Sequence, residues 1–236
     1  MGTLINCAAI IAGGILGILF GSKIPEHVRE TVLKANGAAV IILGIAGALS
    51  KMLVITDGGI ETVGTLNMIL SLCIGSLIGE WLDIEAALER FGEYLKRKTG
   101  SESDSRFTEG FMTASLTVCI GAMAIVGAIE DGIYGIPSIL ISKALLDFVI
   151  ILVMASSLGK GVVFSFIPVG ILQGGVTILA FFLQGIFTEA GLNALSLCGS
   201  VIIALVGVNL LFGKTVKTAN LLPGLIIAVI LAGLGV

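Results

Sequence analysis

The residues best placed for chemistry are a lysine and an aspartate four positions apart in an otherwise apolar stretch, Lys143 and Asp147. Residues at this spacing share one face of a helix. Counted from Ile136 at 1.5 Å per residue, Asp147 lies about 16 Å along the helix, near the middle of a bilayer. Burying an ionisable group there costs at least about 2.5–3.5 kcal/mol on insertion scales. Two interpretations remain open: an ion or proton site in which Lys143 is the counter-charge of Asp147, or an ion pair that stabilises one packing.

Amide side chains recur in the apolar stretches and could line one polar path with Asp147. They are those of Asn6, Asn36, Asn67, Asn193, Asn209, Asn220 and Gln173. Gln173 lies between Pro168 and the pair Gly174-Gly175, a combination that can break a helix and free carbonyl groups to bind a solute. Any one asparagine is explained more simply as a hydrogen-bonding contact between helices.

Two adjacent carboxylates, Glu130 and Asp131, close a further apolar stretch. At the end of a span they could form the mouth of a cation pathway. Ordinary loop charges explain them equally well. Glu80 precedes Trp81, a residue typical of the membrane interface, so we expect the Glu80 carboxylate to be solvated.

Composition indicates that these residues lie in a membrane. The chain has 236 residues, of which 56% are hydrophobic and 12% charged, and its mean hydropathy is +1.13. A soluble domain has about 25% charged residues because its surface must stay hydrated. The same numbers exclude a disordered, a secreted disulfide-rich and a nucleic-acid-binding protein. We therefore predict an all-α fold, a polytopic bundle of transmembrane helices that forms a single domain in the lipid bilayer.

Windows of about 20 apolar residues, the length that crosses the hydrocarbon core, predict about eight spans, or seven if a weak one is lost. They are residues 3–21, 33–55, 62–82, 108–130, 136–158, 162–184, 190–212 and 219–235. With eight spans, eleven of the thirteen lysines and arginines fall on one side, Lys51 falls on the other and Lys143 lies inside. The positive-inside rule then places both termini outside the cytoplasm.

Glycines at four-residue spacing predict close helix packing, either within the chain or between subunits of a homo-oligomer. The three runs are Gly13/Gly17/Gly21, Gly75/Gly79 and Gly170/Gly174. An offset of 62 residues relates the first run to the second, and spans seven and eight resemble one and two. These similarities suggest duplicated helical hairpins, although chance similarity competes in so glycine-rich a chain.

A polar connection at residues 84–98 is predicted to be an amphipathic cytoplasmic helix. Its apolar residues Ile84, Leu88, Phe91 and Leu95 recur at helical spacing, and a basic cluster ends the segment. An anchor at the lipid headgroups is the simpler interpretation, and a partner-binding helix is the alternative.

The sequence resembles the YqgA-type family of bacterial membrane proteins, catalogued as domain of unknown function 554. The resemblance covers the whole chain and rests on the segments Gly2-Thr3, 74–80, 119–132, 143–147, Gln173-Gly174 and 219–223. Ala122 stands where we expect a proline in many relatives, which leaves a helix break in the fourth span an open question. The resemblance implies a bacterial inner-membrane setting and supplies no substrate.

These features favour a transporter or channel for a small solute or ion, coupled to protons or sodium through a midplane carboxylate. The alternative is a membrane scaffold or signalling subunit that uses residues 84–98 and the glycine runs. We do not expect an enzyme, a metal site or a cofactor, because His27 is the only histidine and the HExxH, GxSxG and GxGD signatures are absent.

Overall fold

The computed structural model describes residues 1–21, 25–56, 58–119, 122–183 and 188–235. Within these ranges the chain is almost entirely helical, which confirms the predicted all-α, polytopic class. The helices are α1 (Gly2–Gly21), α2 (Glu26–Met52), α3 (Thr65–Leu82), α4 (Ile84–Lys98), α5 (Phe107–Cys119), α6 (Ala122–Tyr134), α7 (Ser138–Leu158), α8 (Phe166–Leu183), α9 (Glu189–Phe212) and α10 (Pro223–Gly233). Two 3-10 segments, Lys160–Ser165 and Thr218–Leu221, precede α8 and α10.

The contacts divide the chain into two compact units. The first unit comprises Met1–Asn36, Ala87–Cys119 and Met123–Gln184, and the second comprises Gly37–Ala86, Ile120–Ala122 and Gly185–Val236. The first unit contains most of the predicted ion site, because α1, α7 and α8 all belong to it.

The α1–α7 contact of the first unit is formed by glycines. A Cβ atom built on Gly13 would lie 2.6 Å from the carbonyl oxygen of Phe148, and one built on Gly21 would lie 2.5 Å from that of Ser156. Gly17 approaches the carbonyl of Leu152 in the same way. The constant offset between partners shows that the two helices run parallel, with backbone against backbone.

The helix α8 packs antiparallel to α1, since Cys7 contacts Phe166 and Gly170 whereas Gly14 contacts Val163 in the preceding 3-10 segment. It is continuous, so the predicted helix break at Pro168 is wrong. Pro168 is the third residue of α8, where a proline has no intrahelical hydrogen bond to remove.

The fourth predicted span is bent. The helices α5 and α6 replace one straight helix and meet at an angle of 63° across the break after Cys119. The sequence has no proline at this point, and the family resemblance had left a helix break in this span an open question.

In the second unit, α3 packs antiparallel to α10. Gly75 contacts Gly224 and Gly79 contacts Asn220, so this glycine pair also packs within the chain. The strands β1 (Leu53–Thr56) and β2 (Gly59–Thr62) form an antiparallel hairpin between α2 and α3. The predicted spans 33–55 and 62–82 overlap this hairpin, because α2 ends at Met52 and α3 begins at Thr65.

Six helices of the described residues are long and apolar enough to cross a membrane, or seven if α5 and α6 count as one bent span. The last predicted span is the shorter apolar segment Thr218–Gly233. Large apolar side chains are exposed along the long helices, among them Leu77 at 73% and Ile178 at 81%. Such surfaces are typical of contact with lipid.

The helix α4 forms as predicted, but part of its apolar face packs against the chain itself. Leu95 is buried in a cluster with Phe107, Phe111 and Met112 at the start of α5, and Leu88 packs against that cluster. Packing against α5 therefore covers much of the apolar face of α4 that we predicted to anchor the helix at the lipid headgroups.

Candidate functional site

All four side chains of a buried polar cluster in the first unit were predicted as site residues. Asn6 comes from α1, Lys143 and Asp147 from α7, and Gln173 from α8. Their exposed fractions are 0%, 6%, 3% and 0%. The structure thus joins residues that lie up to 167 positions apart in the chain. We call these four residues the buried polar cluster.

The centre of the cluster is an ion pair with a second acceptor. Lys143 Nζ lies 2.5 Å from Asp147 Oδ2 and donates a hydrogen bond of 2.7 Å to the carbonyl oxygen of Val118. Val118 lies in the last turn of α5, where carbonyl groups lack intrahelical donors and carry the negative end of the helix dipole. The ammonium group of Lys143 therefore contacts two electronegative oxygens, of which only one belongs to a charged group.

The amide of Asn6 has one orientation that suits its neighbours. Its Nδ2 donates to Asp147 Oδ2 at 3.0 Å and to Gln173 Oε1 at 3.3 Å. The reverse orientation would place the amide oxygen against the carboxylate, which only accepts hydrogen bonds while ionised. Since Asn6 donates to both, Gln173 must present its oxygen as well.

This orientation leaves polar atoms unpaired beside the ion pair. Within the described part of the chain, Asn6 Oδ1 and Gln173 Nε2 are buried without a hydrogen-bond partner, as are the hydroxyls of Thr3 and Thr177. Thr3 precedes Asn6 by one turn of α1, and Thr177 follows Gln173 by one turn of α8. Each unpaired group costs about 1–3 kcal/mol, so a purely structural cluster is expected to satisfy them.

The second predicted acidic group does not join the cluster. Asp131 Oδ2 accepts hydrogen bonds from the backbone nitrogen of Gly2 at 2.8 Å and from the amino group of Met1 at 2.9 Å. A carboxylate at this position stabilises the first turn of α1, whose amide groups lack intrahelical acceptors. Glu130 is half-buried one residue earlier on α6.

Two predicted asparagines fasten loops of the second unit. Asn209 Oδ1 accepts from the backbone nitrogens of Thr215 and Val216, both at 3.0 Å, and its Nδ2 donates to the Val216 carbonyl at 2.7 Å. Asn220 Oδ1 accepts from the backbone nitrogen of Glu85 at 2.7 Å. These contacts are structural.

Two other asparagines line a cavity of about 540 Å³ in the second unit. Asn193 Oδ1 accepts a hydrogen bond of 2.9 Å from Lys51, and Asn67 donates to the carbonyl of Ala228 at 3.2 Å. Glu189 also lines this cavity. The side chain of Asn36 lies outside the described residues, so that part of the prediction has no structural counterpart.

Sequence reasoning missed one buried acid. Glu85 is 4% exposed, and its carboxylate accepts from the backbone nitrogen of Ala219 at 3.0 Å and pairs with Lys214 at 3.4 Å. Nearby, Lys217 pairs with the exposed Glu80 carboxylate at 2.9 Å, and this hydrogen bond raises the pKa of Lys217. Glu85 is a charged residue between the apolar positions of an amphipathic helix, so nothing in the sequence marks it as buried, and only its contact with the 3-10 segment Thr218–Leu221 reveals its role.

Comparisons with known proteins bear on the whole chain. The family model described as "Protein of unknown function (DUF554)" matches residues 1–233. The "Uncharacterized membrane protein YdfK" of Bacillus subtilis (strain 168) is 30% identical over 96% of this chain and 93% of its own length. The "Uncharacterized protein YqgA" of Escherichia coli (strain K12) is 28% identical over 97% and 94%. No solved structure matches significantly. The chain therefore belongs to the DUF554 family, as its sequence motifs predicted.

Proposed function

We propose that this protein is a membrane transporter for a small solute or ion, coupled to protons or sodium through Asp147. The observation that carries the proposal is the buried polar cluster. In it, the ion pair of Lys143 and Asp147 lies beside two amide groups that each have one unpaired atom, at the end of α5 where the fourth span bends. Transporters place coupling-ion sites near the midplane, where ends of half-helices supply free carbonyl groups. Asp147 is the tenth residue of the 21-residue helix α7 and therefore lies near its middle.

The unpaired atoms favour transport over a structural ion pair. A buried pair is retained for structure only when its geometry is good and further hydrogen bonds satisfy the remaining groups. Here Lys143 and Asp147 are well paired, but Asn6 Oδ1 and Gln173 Nε2 beside them are not. Buried polar atoms without hydrogen-bond partners next to a charge are expected where an ion, a water molecule or a solute binds during transport.

We further propose an internal repeat, which would support a transporter. In each unit an asparagine near the start of one helix contacts a helix that follows a 3-10 segment, and a glycine two turns later packs against that 3-10 segment or the start of the helix. The pairs are Asn6 and Gly14 in α1, and Asn67 and Gly75 in α3. They are related by an offset of 61 residues, one less than the offset read from the glycines alone. Many transporter folds are built from such repeats.

A membrane scaffold without transport activity is the second candidate. The basic end of α4, residues Lys96, Arg97 and Lys98, supplies a charged surface suited to lipid headgroups or a partner. However, Leu88 and Leu95 pack against α5, which removes much of the apolar surface that a partner would need.

The setting that we propose is the bacterial inner membrane, with both termini outside the cytoplasm. The distribution of basic residues supports this orientation, because eleven of thirteen fall on one side when eight spans are counted. We propose no enzymatic activity, since the HExxH, GxSxG and GxGD signatures are absent from the sequence. The first glycine run packs against α7, and the second packs against α10 and the 3-10 segment before it, so a homo-oligomer would have to use other surfaces.

The test is ion flux in liposomes that contain the purified protein. An imposed pH gradient should decay faster than in empty liposomes, with sodium chloride or with choline chloride, and ²²Na⁺ uptake identifies a sodium-coupled cycle. Asp147→Asn should lose this flux while remaining folded. Glu61→Gln is the matched control, because Glu61 is an exposed carboxylate of β2 in the other unit. Flux unchanged in folded Asp147→Asn, or absent from the wild type under all gradients, would refute the proposal.

A further inference from the structure

We propose that a file of water molecules binds between α1 and α8 and connects the buried polar cluster to the membrane surface, so that the coupling ion which reaches the cluster by this path is a proton. The file is lined by Thr3 and Asn6 of α1 and by Gln173 and Thr177 of α8. The inference rests on the proposed function and specifies its entry path and its coupling ion.

The four lining side chains each have a buried polar atom without a partner. Among the described residues, these atoms include the hydroxyls of Thr3 and Thr177, Oδ1 of Asn6 and Nε2 of Gln173. Asn6 and Gln173 are fully buried, and a hydrogen bond of 3.3 Å joins their other amide atoms. A buried water molecule typically makes about three hydrogen bonds to polar groups of this kind. Four such atoms on two packed helices are therefore expected to bind water.

The packing of α1 against α8 places both threonines on the same side of the two amides. Thr3 precedes Asn6 by three residues and therefore shares its face of α1. Thr177 follows Gln173 by four residues and shares its face of α8 in the same way. Because the two helices are antiparallel, both steps lead toward the same end of the first unit. At 1.5 Å per residue the steps are about 4.5 and 6 Å long, a span that one water molecule bridges with two hydrogen bonds of about 2.8 Å.

The outer end of the file meets α6 and the start of α1. Asp131 of α6 accepts a hydrogen bond of 2.8 Å from the backbone nitrogen of Gly2. A Cβ atom built on the next residue, Gly132, would lie 2.4 Å from the carbonyl oxygen of Thr177. Met1, whose amino group also pairs with Asp131, is exposed. The file therefore begins at an exposed, charged helix start and ends at the buried polar cluster.

The chemistry of the lining groups suits water better than a bare metal cation. Nε2 of Gln173 only donates hydrogen bonds, so it cannot be a metal ligand, whereas water accepts from this group and donates to the free oxygen of Asn6. A file of water passes a proton by exchange, because each molecule accepts one proton and donates another. The lining groups are hydroxyls and amides, which do not titrate in the physiological range, so the inference depends on where water binds and not on a pKa.

The first experiment measures proton flux in liposomes after the hydroxyl of Thr177 is removed, with a pH gradient imposed in choline chloride. Thr177→Val keeps the branched shape and should lower flux about tenfold, which corresponds to a barrier higher by about 1.4 kcal/mol. Thr177→Ser keeps the hydroxyl and should retain wild-type flux. Thr117→Val is the matched control, because the hydroxyl of Thr117 already donates to the carbonyl of Thr113 at 2.8 Å. Thermal unfolding checks that each variant is folded.

The second experiment measures access from water independently of flux. Single cysteines, Thr177→Cys or Ile178→Cys, are placed in a background without the four native cysteines. Membranes in nitrate buffer are exposed to silver ions, and thiols that remain free are labelled with a fluorescent maleimide after denaturation. Ile178 is 81% exposed on the surface that we assign to lipid, at nearly the same depth as Thr177. Silver should therefore protect Thr177→Cys from labelling and leave Ile178→Cys free.

The outcomes separate this path from the proposed function. Equal protection of the two cysteines, or wild-type proton flux in folded Thr177→Val, would overturn the inference. If Asp147→Asn loses flux while Thr177→Val keeps it, the proposed function stands and the path alone is refuted. Uptake of ²²Na⁺ that requires Asp147, in place of proton flux, would refute the proton as the coupling ion. Unchanged flux in folded Asp147→Asn would refute the proposed function itself.

Discussion

The close packing of α1 against α7 in the first unit gives a quantitative prediction. Replacing Gly13 with alanine adds a Cβ atom 2.6 Å from the carbonyl oxygen of Phe148, where ordinary contact begins at about 3.4 Å. The oxygen belongs to the backbone of α7 and cannot rotate away. The helices α1 and α7 must therefore separate by about 0.8 Å along this line.

The energetic cost follows from two opposing terms. Overpacking of this size costs about 1–3 kcal/mol, whereas alanine is favoured over glycine within a helix by about 0.5–1 kcal/mol. We expect Gly13→Ala to lower the free energy of unfolding by about 1–2 kcal/mol. The same separation would stretch the 3.0 Å hydrogen bond from Asn6 to Asp147, since Asn6 lies two turns from Gly13, so flux should fall as well.

The matched control is Gly175→Ala, a glycine in α8 with nothing within 4 Å of its added Cβ atom. This variant should unfold at the same free energy as the wild type or slightly higher. The assay is equilibrium unfolding in mixed micelles, with flux measured on the same preparations. Equal stability of Gly13→Ala and Gly175→Ala would refute the close α1–α7 packing.

Three further predictions concern the second unit. Asn209→Ala should lower the free energy of unfolding by about 2 kcal/mol, since it removes the hydrogen bonds that hold the loop after α9, whereas unchanged thermal unfolding would contradict this. Glu85→Ala should cost about 1–3 kcal/mol by leaving the Ala219 amide unpaired, and Glu85→Gln less because it keeps an acceptor; equal losses would show that the charge dominates. Glu80→Gln should lower the pKa of Lys217, followed by NMR of methylated lysines, because the carboxylate that raises it is gone. The ion pair of Lys217 and Glu80 stabilises the folded state below the ordinary lysine pKa, and this contribution is lost as the pH rises through the raised pKa of Lys217. Glu80→Gln should therefore remove this pH dependence of stability.

Much of the buried polar cluster could be predicted because its two charged residues stand out in an apolar stretch of sequence. Lys143 and Asp147 stand four residues apart on one apolar helix, and a four-residue spacing fixes a shared face whatever the rest of the fold does. The close packing of α1 could also be predicted from its glycines, because small residues at four-residue spacing permit two helices to approach closely. In both cases the informative signal lies within a single helix.

What the sequence could not show is which helices meet. Amides have several donors and acceptors, so Asn6 and Asn209 look alike in sequence although one contacts Asp147 and the other fastens a loop. The sequence suggested a helix break at Pro168. However, Pro168 lies in the first turn of α8, where a proline removes no intrahelical hydrogen bond, and the helix is continuous. The actual bend, after Cys119, is marked by no proline, and the carbonyl of Val118 that it leaves for Lys143 carries no sequence signal.

The most direct test of the central claim is ion flux through the wild type and Asp147→Asn in liposomes, measured on preparations shown to be folded. The account predicts that an imposed pH gradient decays faster with the wild type than in empty liposomes, that Asp147→Asn loses this flux, and that Glu61→Gln keeps it. Unchanged flux in folded Asp147→Asn would contradict the assignment of Asp147 as the coupling group.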